Sequence, residues 1–460
     1  MKRIGIIGGG FSGTLAAVQL IEQSVEPLEI ILSNEKRSFN RGIAYGSYND
    51  KHILNVISSK MSAFPAKPDH FLDWVMGREE FREQDRAIIS HSFLSRNLYG
   101  EYLAELWKEA LKLAASKMIL VTVVHDRVVK MEPGEDTAVL RFKTNQPCTV
   151  DACVLATGNL LPRNPNIPNT VFYSSPNYFR NPWEAKVIKG LRADLPVLII
   201  GNGLTMVDTV IGLLESGFEG NICSISPHGF NILPHKHIGI KYSKLSAEVK
   251  TGASLLELVR LVNKHRKDLQ KLGFSAEPVI DALRPYTQAL WRGFTEQERG
   301  LFTIRLLHLW TVTRHRIPLH IHEKIRNLQK TDRIQTIAGR ILNLSEFNHH
   351  VVVDYLDKES KEAKKISVSR VINCTGPQTN LFTLENEFLN ECAVSGVVMQ
   401  DALHLGIAAN PSTFRVLDGE GREHPRLYTL GSNLKGELWE STAVGELRVQ
   451  AEILANLLLS

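Results

Sequence analysis

Hydrophobic positions at the start of the chain change their period twice within the first 33 residues. An unbroken apolar run in RIGIIG (3–8) reads as a buried strand and the glycine cluster GGGFSG (8–13) as a tight turn. TLAAVQLIEQ then places its apolar residues at helical spacing. LEIILS (28–33) restores the strand pattern and completes a strand–helix–strand unit of the kind that opens a doubly wound parallel sheet. Leu98, Tyr102, Leu103, Leu106 and Leu113 recur every three or four residues and predict a helix over about 91–115. From Ile119 to Gly158, short alternating strands are broken by EPGED, a hairpin signal, and close on the strand and turn ACVLATG.

Pro162, Pro165 and Pro168 interrupt sheet and helix alike and mark a crossing into a second unit. There PVLIIGNGLTMVDTVIGLLESG (196–217) repeats the strand, glycine turn and helix, and NICSIS supplies the following strand. Residues 245–330 are mostly helical, with apolar positions such as Leu255, Leu258, Leu261 and Val262, then Leu301, Ile304, Leu307 and Leu309. They form an insertion. Strands return from about 333 in RIQTIAGRILNLSEF, HHVVVDYLD and RVINCTG. The chain closes with LYTLGSN and an apolar helix over 443–459 that packs back on the first unit.

The glycine turns carry the chemistry. Gly8, Gly10 and Gly13 satisfy G-x-G-x-x-G directly after a strand and at the opening of a helix, the context that the dinucleotide-binding motif requires. Gly8 permits the turn, Gly10 admits a pyrophosphate, and Gly13 lets helix approach strand. The amides around Phe11 and Ser12 offer donors and a partial positive charge. Glu35, 22 residues beyond Gly13 at the end of the second strand, is placed to accept from ribose hydroxyls, with Asn34 as the alternative. The second loop keeps Gly201 and Gly203, followed by Leu204 and Thr205, but has Met206 where the third glycine would fall. That loosens helix against strand without closing the approach to phosphate. Thr157 and Gly158, then Thr375 and Gly376, end apolar strands with small residues that allow backbone to come close to a bound dinucleotide. Two loops in one chain fit FAD at the first and a nicotinamide dinucleotide, NADPH or NADH, at the second.

Composition narrows this picture. At 460 residues the chain is long enough for two or three units, and its 43% hydrophobic and 22% charged fractions are those of a water-soluble globular protein. The net charge of +5 is spread along the sequence rather than gathered into a nucleic-acid footprint, and no long apolar run predicts a membrane span. The start MKRIGIIGGG enters a strand at once, which points to the cytoplasm. Five cysteines, Cys148, Cys153, Cys223, Cys374 and Cys392, sit mostly in apolar runs as core thiols. Cys148 and Cys153 have the spacing of a flavoenzyme redox pair but not its place near the start of the chain. His315, His320 and His322 cluster without cysteine or carboxylate partners at ligand spacing, so no metal is expected.

Taken together, GGGFSGTLAA, RGIAYGS, HILNVISSKMSAFPAKPDHFLDW, RNLYGEYL, VLIIGNGLTMVD, ALRPYTQALW, VINCTGP and LYTLGSNLKGELWESTAVGELRVQA resemble a family of bacterial FAD/NAD(P)-binding proteins. That family includes FAD-dependent urate hydroxylase and an aspartate N-monooxygenase and is related to the N-hydroxylating flavin monooxygenases. The resemblance implies an α/β fold of two Rossmann-like dinucleotide-binding domains. The FAD domain is split over 1–165 and 366–460, and the NAD(P) domain, inserted at 166–365, carries the helical insertion at about 245–330. It further implies that Asn55 and Met61 border the flavin ring, and that Gly431, Ser432 and the segment from Trp439 through Ser441 and Thr442 to Ala443 meet its pyrimidine end and ribityl chain. Relatives carry arginines after the strand that follows the second loop; this chain reads SISPHGFN there, which leaves NADPH and NADH both open.

The activity implied is a single-component flavin monooxygenase. Hydride from NAD(P)H reduces FAD, and the reduced flavin activates O2 as a hydroperoxide to hydroxylate a small nucleophilic substrate. No side chain is nominated as acid or base. The alternatives are an NAD(P)H dehydrogenase or reductase serving another acceptor, and a nucleotide-binding redox sensor. The basic stretch Trp310, Arg314, His315 and Arg316 fits either the inter-domain cleft or a solvated helix face over a buried tryptophan.

Overall fold

The computed structural model describes residues 1–35, 39–46, 49–236 and 241–460; Ser47, at the end of RGIAYGS, lies outside them. Two sheets organise the chain, the first nearly all parallel and the second parallel apart from the antiparallel strands 350–357 and 363–368 at one edge. The first has six strands in the order 415–417, 423–429, 152–155, 2–7, 28–33 and 120–124, all parallel except the outermost pair. Lys2–Ile7 is its centre, with Ile4 opposite Ile30 on one side and Ala152 on the other. Both faces are covered, which is why these strands read as continuous apolar runs. On one face lie the helices Phe11–Gln23, Arg96–Ser116 and Val444–Leu459. On the other lie a three-stranded antiparallel sheet (128–133, 138–142, 148–150) and the helix Glu387–Val394. The final helix thus packs on the first unit as its sequence predicts, and the EPGED hairpin forms, closed by Gly134 N donating to Thr137 O at 2.7 Å. The 91–115 helix begins later, at Arg96, because the Ser95 side chain caps it.

The second sheet has seven strands in the order 363–368, 350–357, 334–347, 222–226, 197–200, 370–373 and 178–179. Two expected boundaries move. Arg370–Asn373, assigned by sequence to the first domain, hydrogen-bonds beside Val197–Ile200 in the second sheet, so the return crossing falls at about 374–380 rather than 366. There it runs beside the proline-rich outward crossing, with Gln378 N donating to Leu161 O at 3.2 Å. The helix Leu319–Lys330, assigned to the insertion, lays Ile321, Ile325 and Leu328 on the second sheet's core and feeds the strand Ile334–Phe347. It serves as that sheet's own crossover helix. The remaining insertion, about 243–314, has a separate core around Leu245, Val279, Leu290 and Trp291. Among the described residues no helix is long and apolar enough to cross a membrane.

Candidate dinucleotide-binding sites

Both glycine turns are built alike. Gly8 and Gly201 have φ of +114° and +105°, and a Cβ on either would collide with a carbonyl of the neighbouring strand's end: 2.2 Å from Ala156 O for Gly8 and 2.5 Å from Cys374 O for Gly201. The helices that follow start at Phe11 and Leu204, and neither Gly10 nor Gly203 can cap them with a side chain, so their first amides stay free for a ligand. At Gly13 a Cβ would lie 1.9 Å from Gly8 O, the close approach that holds the first helix down on its turn. Met206 takes the equivalent point of the second loop and is itself buried.

The first turn opens into a cleft of about 510 Å³, of dinucleotide-site size. Gly8, Gly10, Phe11, Ser12, Glu35, Thr157, Gly158, Ser432 and Thr442 all line it. Glu35 receives Arg127 Nη2 at 3.0 Å and Nε at 3.1 Å, which holds the carboxylate at the cleft edge. Arg41 and Arg180 line the same cleft, Arg180 paired with Glu385 and Arg41 hydrogen-bonded to Asn97 Oδ1 at 3.2 Å. Leu160, Leu161 and Phe388 supply an apolar wall. The Ser432 hydroxyl is buried with no hydrogen-bond partner among the described residues, as expected of a group that awaits a polar ligand. These residues fit a dinucleotide: an uncapped helix start for diphosphate, a carboxylate for ribose, an apolar wall for a base.

A Cβ on Gly431, whose φ is +78°, would lie 2.9 Å from Ser12 Oγ, and the Gly431 amide donates to Gln450 Oε1 at 2.9 Å. Ser441 lies behind it, fully buried, its hydroxyl donating to Gly431 O at 2.5 Å; it shapes the loop rather than lining the cleft. Trp439 is also turned away: it stacks on Trp291 of the insertion with centroids 4.6 Å apart. Met61 is buried in the first unit's core, and Asn55 sits between the units beside Leu204 and Asp208. None of Asn55, Met61, Trp439 and Ser441 lines the cleft. Arg41, Arg127 and Arg180 were not legible as site residues, since each comes from a separate part of the chain with no local motif.

At the second turn, Gly201 meets Cys374 O and Thr375, while Gly376 adopts φ +90°. Thr205 lies in the helix's first turn, its carbonyl receiving Thr209 Oγ1 at 2.8 Å. Both amide atoms of Asn202 are buried without a partner among the described residues. Five residues after Gly203, Asp208 pins this helix to the first unit. Arg96 Nη2 stands 3.0 Å from its carboxylate, and His52 Nε2 lies 3.1 Å from its main-chain oxygen. Burial raises the Asp208 carboxyl above its usual range and Arg96 opposes the rise; burial lowers His52.

The basic stretch of the insertion reaches the segment that leads into the cleft. Trp310 Nε1 donates to Glu440 Oε1 at 2.8 Å, Arg314 Nε lies 2.9 Å from Oε2, and Glu440 itself adopts φ +66°. Burial lowers the pKa of His315 and of Lys435 beside it. The cysteines are all free: burial pushes Cys223 up to about 11 and Cys374 and Cys392 up to about 12, and raises Cys153 and Cys148 as well.

Residues 5–160 match a family model described as FAD-NAD(P)-binding. None of the curated proteins matches the chain by sequence. Among solved structures, ornithine hydroxylase from Pseudomonas aeruginosa superposes with a TM-score of 0.66 at 15% identity, over 100% of this chain and 98% of that one. Ornithine N-hydroxylase from Kutzneria sp. 744 gives 0.65 at 13%, over 99% and 98%. Bacillithiol disulfide reductase from Staphylococcus aureus gives 0.56 at 14%, over 99% and 98%. Residues 5–160 are therefore similar to an FAD-NAD(P)-binding family, and the chain shares its fold from end to end with these ornithine hydroxylases and the disulfide reductase.

Proposed function

We propose that the chain is an FAD-dependent NAD(P)H oxidoreductase acting as a single-component monooxygenase on a small nucleophilic substrate, with FAD in the first cleft and the nicotinamide coenzyme at the second loop. The observation that carries this reading is the duplicated cradle, in which Gly8 and Gly201 abut a carbonyl in the same way and each precedes an uncapped helix. When bound, FAD supplies hydride acceptance and reaction with O2. The chain's own groups bind and orient. The amides at Phe11 and Ser12 take the diphosphate, Glu35 takes ribose hydroxyls under the hold of Arg127, and Ser432 and Thr442 face the ligand. Asp208, through Arg96 and His52, holds the second loop's helix against the first unit, which fixes the path of the hydride. The Trp291–Trp439 stack and the insertion core behind it exclude water from the segment beside the cleft.

The substrate lies where the insertion meets residues 435–446. Arg284, Arg314 and Lys435 cluster there with Glu440 and Glu446, a mixed-charge neighbourhood that suits a small molecule with ionic groups. The neighbouring folds that hydroxylate ornithine support an amine nitrogen as the nucleophile. Free, buried thiols with raised pKa suit work in the cytoplasm and argue against an internal dithiol as electron acceptor.

Two measurements test the reading. Anaerobic NADPH or NADH is expected to bleach the flavin spectrum of the purified protein. In air, an amine or purine substrate is expected to raise NAD(P)H consumption above peroxide release. Peroxide equal to coenzyme consumed with every substrate would remove hydroxylation and leave a reductase or oxidase. Failure to take up FAD would remove the whole reading.

A further inference from the structure

The two cradles are equivalent, and the equivalence shows what replaces Glu35 at the second. Gly8 N donates to Ser33 O at 3.0 Å and Gly201 N to Ile225 O at 2.8 Å, so Ser33 corresponds to Ile225. Two residues beyond Ser33 stands Glu35; two beyond Ile225 stands Pro227, followed by His228. The place of a carboxylate that accepts from a ribose 2′-hydroxyl is thus taken by a residue without one, next to an imidazole.

The fold gathers further basic side chains around that imidazole. His308, from the helix Leu307–Arg314 of the insertion, stacks on His228 with centroids 4.0 Å apart and planes 15° from parallel. Phe230 continues the stack, 5.7 Å from His308. Lys358, at the turn after the strand His350–Asp357, places its ammonium 3.3 Å from His228 Nδ1. Gly229, at φ +65°, lets the loop lie against Ala338, whose carbonyl receives the Lys358 amide at 2.9 Å. Three segments more than 40 residues apart, at 228, 308 and 358, therefore bring their basic side chains together at one point beside the second nucleotide loop.

We infer that His228, His308 and Lys358 form a binding site for the 2′-phosphate of the coenzyme, making this an NADPH enzyme whose preference over NADH weakens as pH rises. The inference rests on reading the second loop as the nicotinamide site. Ligand-free, His228 is held below its ordinary pKa by burial, by His308 and by Lys358, and no carboxylate acts on it to offset them. Asp357, next in the chain to Lys358, is engaged by the amides of Glu359 and Ser360 and by Lys364; Glu359 is exposed, and Arg305 stands one turn before His308. A phosphate dianion supplies the missing negative charge, so binding raises the imidazole pKa and takes up a proton. Affinity gained in this way is present at pH below the raised value and is lost as pH climbs through it. Lys358 Nζ, 3.3 Å from His228 Nδ1, is a second contact for the phosphate and retains part of the preference.

The probes are 2′,5′-ADP and 5′-AMP, titrated calorimetrically into FAD-loaded protein at pH 6.5 and 8.5, roughly above the second phosphate pKa of about 6. At pH 6.5 the 2′-phosphate is expected to tighten binding about tenfold or more, and the ratio to shrink by at least about threefold at pH 8.5. His228→Ala and Lys358→Ala are each expected to cut the pH 6.5 ratio, and His308→Gln to flatten its pH dependence. Because the ratio is taken within one preparation, a loss of folded protein does not mimic the effect. Equal affinity for the two probes, or a ratio that the variants leave intact, overturns the inference while the nicotinamide site stands. Failure of both probes to bind overturns the site itself. Activity gives an independent readout: NADPH is expected to outperform NADH in kcat/KM by more at pH 6.5 than at 8.5.

Discussion

A methyl group is enough to test the first cradle. Gly13→Ala would set a Cβ 1.9 Å from Gly8 O; the carbonyl is backbone and the Cβ is fixed by its own backbone, so no side-chain rotation relieves the clash. The turn must open, at about 1–3 kcal/mol of overpacking, and flavin affinity is expected to fall by about tenfold to a hundredfold in a fluorescence titration. Glu35→Gln removes one strong acceptor but keeps the shape, so a smaller loss, about tenfold, is expected in the same titration. Asp126 makes a different point. Burial alone would raise its carboxyl, but Thr144 and Asn145 each donate a main-chain and a side-chain hydrogen bond at 2.8–2.9 Å, and the balance puts it well below the usual carboxylate range. A depressed folded pKa stabilises the native state above the unfolded value near 3.9, and that contribution disappears as pH falls below it. Asp126→Asn is therefore expected to lower the urea midpoint at pH 7 and to flatten its decline in acid; an unchanged acid limb would show that other carboxylates govern it.

Helices transmit these residue-level constraints. Leu204–Glu215 starts at the second cradle and is held, five residues after Gly203, by the Arg96–Asp208 pair, whose side chains are only 14% and 12% exposed. Removing one partner of so enclosed a pair strands the other charge; Asp208→Ala is expected to cost about 3–5 kcal/mol in urea unfolding. Asp208→Asn keeps shape and much of the hydrogen bonding. It is expected to leave FAD bound yet slow anaerobic flavin reduction by about tenfold or more in stopped flow, because the helix that carries the coenzyme loses its fixed angle to the first unit. Wild-type reduction rates in Asp208→Asn would mean that the pair serves stability alone. The insertion touches both units. Its His308 and Trp310 are two residues apart on one helix, one reaching the second cradle's outer edge and the other Glu440 beside the first cleft.

For the whole molecule, the thiols separate rival chemistries. Cys153, Cys223, Cys374 and Cys392 are buried with raised pKa, and only Cys148 is partly open. Native protein is expected to release at most about one equivalent in a thiol titration at pH 8, with no loss of NAD(P)H oxidation on alkylation; inactivation by alkylation would favour a dithiol reductase. The strand–glycine–helix units, the free helix starts and Glu35 were legible because each depends on residues adjacent in sequence. The chain alone determined that there are two such units, through period, glycine placement and proline breaks, since those properties are set by local backbone geometry. Tertiary structure decided the rest. Sheet pairing moved Arg370–Asn373 into the second unit. Burial turned Trp439 and Met61 away from the first cleft. Arg127 reached Glu35 across 92 positions, and His308 and Lys358 reached His228. Contacts between distant segments depend on how whole elements pack, and no local spacing of residues encodes that.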